Sequence, residues 1–245
     1  MTDSIKQLHD IISGSNDIVF FGGAGVSTES GIPDFRSADG IYNSGGGASK
    51  LYPPETILSH SFFLEHTAEF YEFYRAKLLH QDAMPNKAHI ALAQLEQRGK
   101  LKAVVTQNID GLHHKAGSVN VLELHGSCER NYCMDCGANF PMNDILKSSG
   151  TPRCPCGGLI KPDVVLFEEM LDTQIMEKAV HAIRNAEVLI IGGTSLNVFP
   201  AASLIRYYKG AALILINKST TSYDKLANIV IHESIGETLS LAAGD

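Results

Sequence analysis

Six short runs in this chain are mainly apolar, with no sustained alternation with polar residues: Asp17–Phe21, Lys102–Thr106, Val121–Leu124, Val188–Ile191, Leu213–Ile216 and Ile229–Ile231. A strand with one wet face alternates apolar and polar side chains, so such runs suit strands covered on both faces. Helical patterns lie between them. Ile5, Leu8, Ile11 and Ile12 open the chain at helical spacing, Pro85-Asn86 starts a helix that runs to Arg98 and stops at Gly99, and Ile235–Ala243 closes the chain. Residues 54–81, with Phe62, Phe63, Phe70, Tyr71, Phe73 and Tyr74, read as helical with an aromatic core stripe. Strands alternating with helices predict an α/β fold, a parallel sheet covered by helices on both faces.

In such sheets ligands bind beyond the carboxyl ends of the strands. The polar motifs fall there: Gly23-Ala24-Gly25-Val26-Ser27 after the first run, Gln107-Asn108-Ile109-Asp110 after the second, His125-Gly126-Ser127 after the third, then Gly193-Thr194-Ser195 and Asn217-Lys218-Ser219. Their convergence predicts one shared site. Gly22, Gly23 and Gly25 let backbone N–H groups approach a ligand, and a helix expected from about Val26 would aim its positive end at the same point, as in a phosphate site. The glycines alone suit an ordinary tight turn equally well. Ser27 and Ser30 add hydroxyls, Gly31-Ile32-Pro33 stops the helix, and Asp34, Phe35 and Arg36 set an acid, a ring and a base in one loop. Thr28 stands where the third glycine of a dehydrogenase fingerprint would be, which argues against hydride transfer. Residues 38–50, polar and Gly-rich, read as a lid over the ligand. His125, at a strand end beside the other polar clusters, suits a general base near pH 7.

Cys133-Met-Asp-Cys136 and Cys154-Pro-Cys156 are separated by 17 residues, a pattern that reads as a four-thiolate structural zinc site with no open position for catalysis. A redox-active dithiol and a nucleic-acid-binding zinc ribbon are the alternatives. Cys128 is the spare thiol, expected to be buried and inert. A net charge of −7 disfavours general nucleic-acid binding. No apolar run reaches 18 residues, and the N-terminal MTDSIKQLHD is unlike a signal peptide, so a cytoplasmic protein without membrane contact is expected.

The strings GAGVSTESGIPDFR, TQNIDGLH, ELHG, the cysteine pairs, KPDVVLFEE and GTSLNVFPAA resemble, in this order, the signature of the sirtuins, NAD-dependent protein-lysine deacylases. The resemblance runs from about Asp17 to the closing helix. It implies a Rossmann-like NAD-binding domain (1–37, 84–125 and 161–245), a helical insert with a cofactor-binding loop (38–83) and a zinc-binding module (126–160). By the same resemblance Ala24, Arg36 and Ser195 serve the diphosphate, Gln107 the nicotinamide ribose, and Asn108 and Asp110 the carboxamide pocket. Ile32 and Phe35 shield the reacting carbon, and Asn217 holds the adenosine ribose. Gly23, Gly25, Ser27, Asp34, Gly193 and Thr194 complete the cofactor set. Val165, Phe167 and Val198 would line the tunnel for the acyl-lysine, whose peptide adds as a strand. His125 is the implied base, with Asn108 placing ribose or water.

The implied activity is removal of acetyl groups from protein lysines, with nicotinamide and O-acetyl-ADP-ribose as products and the acyl group transferred to ADP-ribose. Mono-ADP-ribosyl transfer and an NAD-sensing module without turnover are the rivals. Two departures stand out. Glu168-Glu169 occupies the place of a common Gly-Glu, where the added carboxylate would either favour basic residues beside the target lysine or be merely solvated. Tyr71 is followed three positions on by Tyr74, with Arg75 one step further; one residue turns a side chain about 100° around a helix. The Tyr-x-x-Arg pattern of succinyl-specific relatives is therefore broken, and neutral acyl groups are expected. The partners are acetylated proteins or peptides, and a monomer is expected.

Overall fold

The computed structural model describes residues 2–35, 37, 40–42 and 51–244. In chain order the strands are β1 (Ile18–Gly22), β2 (Leu101–Thr106), β3 (Val121–Glu123), β4 (Gly126–Cys133), β5 (Asn139–Pro141), β6 (Ile160–Val164), β7 (Val188–Gly192), β8 (Ala212–Ile216) and β9 (Ile229–Ile231). The helices are α1 (Asp3–Gly14), α2 (Pro54–Ile57), α3 (His60–Glu65), α4 (Thr67–Lys77), α5 (Lys87–Gln97), α6 (Leu112–Lys115), α7 (Met142–Lys147), α8 (Thr173–Asn185) and α9 (Ile235–Ala243).

Six strands form one parallel sheet in the order β3-β2-β1-β7-β8-β9. Every residue of β1 and β7 is buried, as continuous apolar runs require. Successive side chains point to opposite faces. Phe20, Val104, Ile190 and Ile214 therefore join a core with Leu8 of α1, Leu92 and Leu95 of α5, and Leu239 of α9. Val19, Phe21, Val105, Leu189 and Ile191 join a second core under α8, with Ala179 and Ile183. The start of α5 is fixed by Asn86, whose Oδ1 accepts from Ala88 N–H while its own N–H donates to His89 Nδ1. Gly99, at φ +74°, lets the chain turn away after the helix.

The order reverses at β1, which has β2 on one side and β7 on the other, so the loops leaving β1 and β7 open a crevice at the strand ends. Among the described residues no α-helix directly follows β1. The helix expected from about Val26 is two short 3-10 turns, Ala24–Val26 and Thr28–Ser30. The turn is held back against the next loop, since Gly25 N–H donates to Gly193 O at 2.8 Å. Thr28 Oγ1 donates to Gly25 O, and Gly31, at φ +81°, ends the second turn. Short 3-10 segments also replace the helices expected between β7 and β8 (Ala201–Tyr207) and between β8 and β9 (Asp224–Leu226). The lid expected over residues 38–50 lies almost wholly outside the described residues.

A second sheet is antiparallel, in the order β5-β4-β6. The single helix read over 54–81 is instead α2, α3 and α4. The first break comes at Ser59, whose Oγ caps α3 by accepting from Phe62 N–H at 3.2 Å, and whose backbone pairs with Phe167. The second comes at His66, whose φ of −128° and ψ of 47° leave the helical region. The aromatic stripe is core, as expected. Phe63, Phe70, Tyr71 and Tyr74 pack with Cys128, Ile145, Ile160 and Val164, so the helices and the small sheet share one core. Among the described residues no helix is long and apolar enough to cross a membrane.

Tyr71 and Tyr74 are both fully buried, and burial raises both phenols. The Tyr71 hydroxyl donates to Ile160 O, whereas the Tyr74 hydroxyl meets no partner among the described residues. Tyr71→Phe is therefore expected to cost about 1 kcal/mol, and Tyr74→Phe to be neutral or stabilising. Denaturant midpoints for the two variants check this; an equal loss at Tyr74 would reveal an acceptor for its hydroxyl.

Candidate functional site

The crevice beyond β1, β2 and β7 gathers most of the polar motifs. Gly23 lies against Thr194, and an added Cβ at Gly23 would stand 2.8 Å from Thr194 Cβ. Gly25 lies against Gly193 in the same way, with 2.8 Å from its ideal Cβ to Gly193 Cα. Gly193, at φ +58°, is itself linked to the end of β8 by its N–H to Ile216 O at 3.1 Å, next to Asn217. The backbones of two turns thus meet with no side chain between them.

Ser27 is the hub of a buried network. Its Oγ donates to Asp110 Oδ2 at 2.6 Å and accepts from Asn108 Nδ2 at 3.1 Å. Asp110 Oδ1 accepts from Leu112 N–H, which fixes the carboxylate's second oxygen. His89 Nε2 lies 3.5 Å from Ser27 Oγ. Because Asn86 N–H donates to His89 Nδ1, the proton of the neutral ring sits on Nε2 and faces the serine. Burial holds His89 down at about 4 and pushes His113, 4.7 Å away ring to ring, well below the imidazole range. Sequence reading missed His89. It sits inside a helix 62 residues from Ser27, and only its place at the third position of a capping box marks it.

Gln107 joins this network to His125. Its N–H donates to Gly22 O, its Nε2 donates to Thr194 Oγ1 at 3.2 Å, and its carbonyl accepts from His125 Nδ1 at 2.9 Å. A carbonyl only accepts, so Nδ1 carries the hydrogen and Nε2 of the neutral ring keeps its lone pair. Burial lowers the His125 pKa, with the Gln107 bond as the smaller, opposing cause. A half-buried imidazole with one fixed and one open nitrogen can accept a proton at neutral pH. The next residue, Gly126, has φ +73°, and a Cβ there would sit 2.0 Å from Asp163 O. His125 O in turn accepts from Val165 N–H at 3.0 Å. Val165 is half-buried, and Phe167 is more exposed, with its backbone paired to Leu58 and His60.

Other expected residues stand further out. Ile32 N–H reaches Ser27 O, Asp34 Oδ1 accepts from Ser37 N–H, and Phe35 meets Tyr42 edge-on at 5.7 Å. Arg36 lies outside the described residues. Ala24 and Val198 are half-buried and Ser195 is exposed. Asn217 is half-buried, with its Nδ2 on Ser219 O and its carbonyl facing His232 Nδ1.

Cys133, Cys136, Cys154 and Cys156 bring their four Sγ atoms within 4.8 Å of one another. The separations Cys133–Cys156, Cys136–Cys154 and Cys136–Cys156 are 3.5, 3.6 and 3.5 Å. Tetrahedral zinc with Zn–S bonds of about 2.3 Å needs sulfurs about 3.8 Å apart, so the cluster fits one such ion. The tight C-x-C pair closes because Gly157 takes φ +95° and Gly158 leaves room for Cys133 Sγ, 2.6 Å from its ideal Cβ. Cys128 is buried, and burial pushes its thiol up to about 12, so it is inert as expected.

The Sir2 family profile matches residues 23–200. A protein of Clostridium acetobutylicum named NAD-dependent protein deacetylase is 59% identical over 241 residues, covering 98% of each chain. One of Cutibacterium acnes with the same name is 52% identical over 235 residues, covering 96% of each. Among solved structures, a Sir2 variant with deacetylated peptide and 3′-O-acetyl ADP ribose aligns at TM-score 0.86 and 37% identity, covering 97% of this chain and 96% of the other. A Sir2 homologue–NAD complex aligns at TM-score 0.86 and 38% identity, covering 97% and 92%. With this sheet order, this crevice and a match across most of its length, the chain belongs to the Sir2 family.

Proposed function

We propose that this protein removes acetyl groups from lysine side chains of proteins, consuming NAD and yielding nicotinamide and O-acetyl-ADP-ribose. The observation that carries the reading is His125. Its Nδ1 is tied to Gln107 O, its Nε2 is open, and it stands at the crevice where the Gly23–Ser27 turn meets Gly193 and Thr194. Relatives named NAD-dependent protein deacetylase span the full site.

NAD supplies the ADP-ribose that accepts the acetyl group as nicotinamide leaves. The glycine turns, with Ala24, Ser195 and Arg36, take the diphosphate. Asn217 takes the adenosine ribose. Gln107, already bonded to Thr194, meets the nicotinamide ribose. Asn108 and Asp110, held through Ser27, orient the carboxamide, and Ile32 and Phe35 keep water off the reacting carbon. His125 Nε2 takes the proton from the ribose hydroxyls. Val165, Phe167 and Val198 line the tunnel, whose backbone edge receives the peptide as an added strand. The four thiolates hold zinc as a structural ion. The chain divides functionally into an NAD-binding domain (1–37, 84–125 and 161–245), a helical insert (38–83) and a zinc module (126–160). The protein acts in the cytoplasm as a monomer, away from nucleic acid and membranes.

Incubation with NAD and an acetyl-lysine peptide should release nicotinamide in step with loss of acetyl mass. Nicotinamide release without deacetylation would replace this reading with ADP-ribosyl transfer. His125→Ala should lower kcat by about 100-fold or more while leaving the melting temperature near that of the parent. Because burial lowers the His125 pKa, the base stays competent below the ordinary imidazole value, and the acid limb of the kcat/KM profile should fall below about pH 6.5. An acid limb above that value would remove His125 from the role.

Metal analysis should find one zinc per chain, and stripping it with a strong chelator should lower the melting temperature sharply, since ligand assembly and folding are coupled there. Full stability after removal would sink the structural assignment.

Acyl preference follows from Arg75. Its guanidinium is committed to Ile145 O at 2.9 Å, Ser148 Oγ at 2.7 Å and Gly150 O at 2.7 Å. It is thus engaged with backbone and hydroxyl oxygens of the α7 segment and is not free to pair with an acyl carboxylate in the apolar tunnel. Acetyl-lysine peptide should exceed its succinyl counterpart by about 10-fold or more in kcat/KM. Faster turnover of the succinyl peptide would overturn this.

A further inference from the structure

Glu168 holds a backbone geometry that glycine adopts freely and bulky residues rarely do, with φ +77°. Its side chain offsets the strain. Oε2 accepts from Ser61 N–H at 2.9 Å, and Oε1 accepts from the Ser61 hydroxyl at 3.0 Å. Both donors are neutral, and no cation among the described residues pairs with this carboxylate. Its neighbour differs. Glu169 turns inward to Lys161 Nζ at 3.1 Å, His60 Nδ1 at 2.7 Å and Leu166 N–H at 2.8 Å. Of two adjacent carboxylates, one is neutralised in the wall, and the other is an exposed, uncompensated charge clamped in one position.

That position is set by the segment that follows β6. Val165 N–H is tied to His125 O, and Phe167 is tied on its flank to Leu58 and His60. Glu168 follows directly and is exposed, and its N–H donates to no described residue; on the deacetylase reading it borders the edge that would receive the peptide. Because Ser61 already orders the carboxylate, an arriving cation costs less side-chain entropy than at a free glutamate.

We infer that Glu168 is a specificity-determining residue, favouring acyl-lysine peptides with Arg or Lys next to the acyl-lysine and disfavouring acidic neighbours. The inference rests on the deacetylase reading above. An exposed charge pair of this kind corresponds to a ratio of about 2- to 5-fold in kcat/KM, diminishing with salt.

The test uses three acetyl-lysine peptides that differ only in carrying Arg, Ala or Glu at the flanking positions. Steady-state kcat/KM is measured at low and high salt for the parent, Glu168→Gln and Glu168→Gly. The Arg-to-Glu ratio within each protein is the readout, so a general change in activity or folding cancels. The parent should prefer Arg over Glu at low salt and lose the preference at high salt. Both variants should show ratios near one; Gln keeps an oxygen for Ser61, and Gly relieves the backbone strain. A parent without preference, or variants that keep it, would overturn the assignment. Failure of the parent to deacetylate even the Ala-flanked peptide would instead strike the deacetylase reading.

Discussion

The structure depends on a contact between two glycines. At the point where the sheet order reverses, the turns leaving β1 and β7 lie against each other, with Gly25 N–H donating to Gly193 O at 2.8 Å. A side chain on either residue would collide with backbone; from Gly193 an ideal Cβ would be 2.3 Å from Val26 N. This approach keeps the chain from running on into a helix after β1. It directs Ser27 inward, where its hydroxyl collects Asn108 and Asp110. On the other side it brings Thr194 to Gln107, whose carbonyl fixes His125. Residues from four separate stretches of the chain are thus positioned by one backbone-to-backbone contact.

Burial does the rest of the chemical sorting. Three imidazoles lie close to the crevice, and all are pushed toward the neutral form. They differ in what their nitrogens face. His89 is occupied on Nδ1 by a backbone donor and faces Ser27 with Nε2, and both nitrogens of His113 are buried without a partner among the described residues. His125 combines a fixed ring with an open nitrogen. Ring orientation, more than pKa alone, separates a candidate base from two packing residues.

Much of this was legible in the sequence. The apolar runs gave the strands of the parallel sheet because burial on both faces leaves no alternation, and Asn86 and Gly99 marked the ends of α5 by local chemistry that needs no tertiary context. The cysteine spacing located the thiolate cluster. What stayed hidden depended on where side chains point. The 3-10 turns after β1 arise from contact with a loop about 170 residues on, as the Gly25–Gly193 pair shows. The breaks at Ser59 and His66 are invisible in a run whose hydrophobic period continues through them. Arg75 was read only by its phase on a helix; its three oxygen partners in the α7 region are not local. Glu168 could be noticed as an unusual residue, but the serine that clamps its carboxylate is 107 positions away.

The aromatic core shared by α2–α4 and the small sheet has a bearing on how the chain comes into being. Phe63, Phe70 and Tyr71 emerge during synthesis well before Ile160 and Val164, the strand residues that cover them. Domains fold largely as units in the order they appear, and non-local contacts form late. The helices must therefore wait, with their rings uncovered, while α5, β2 and β3 are made and until the second cysteine pair arrives. Cys133 and Cys154 belong to the same core cluster as these rings, so a metal held by the cysteine pairs would tie the late-made strand to the helices it covers.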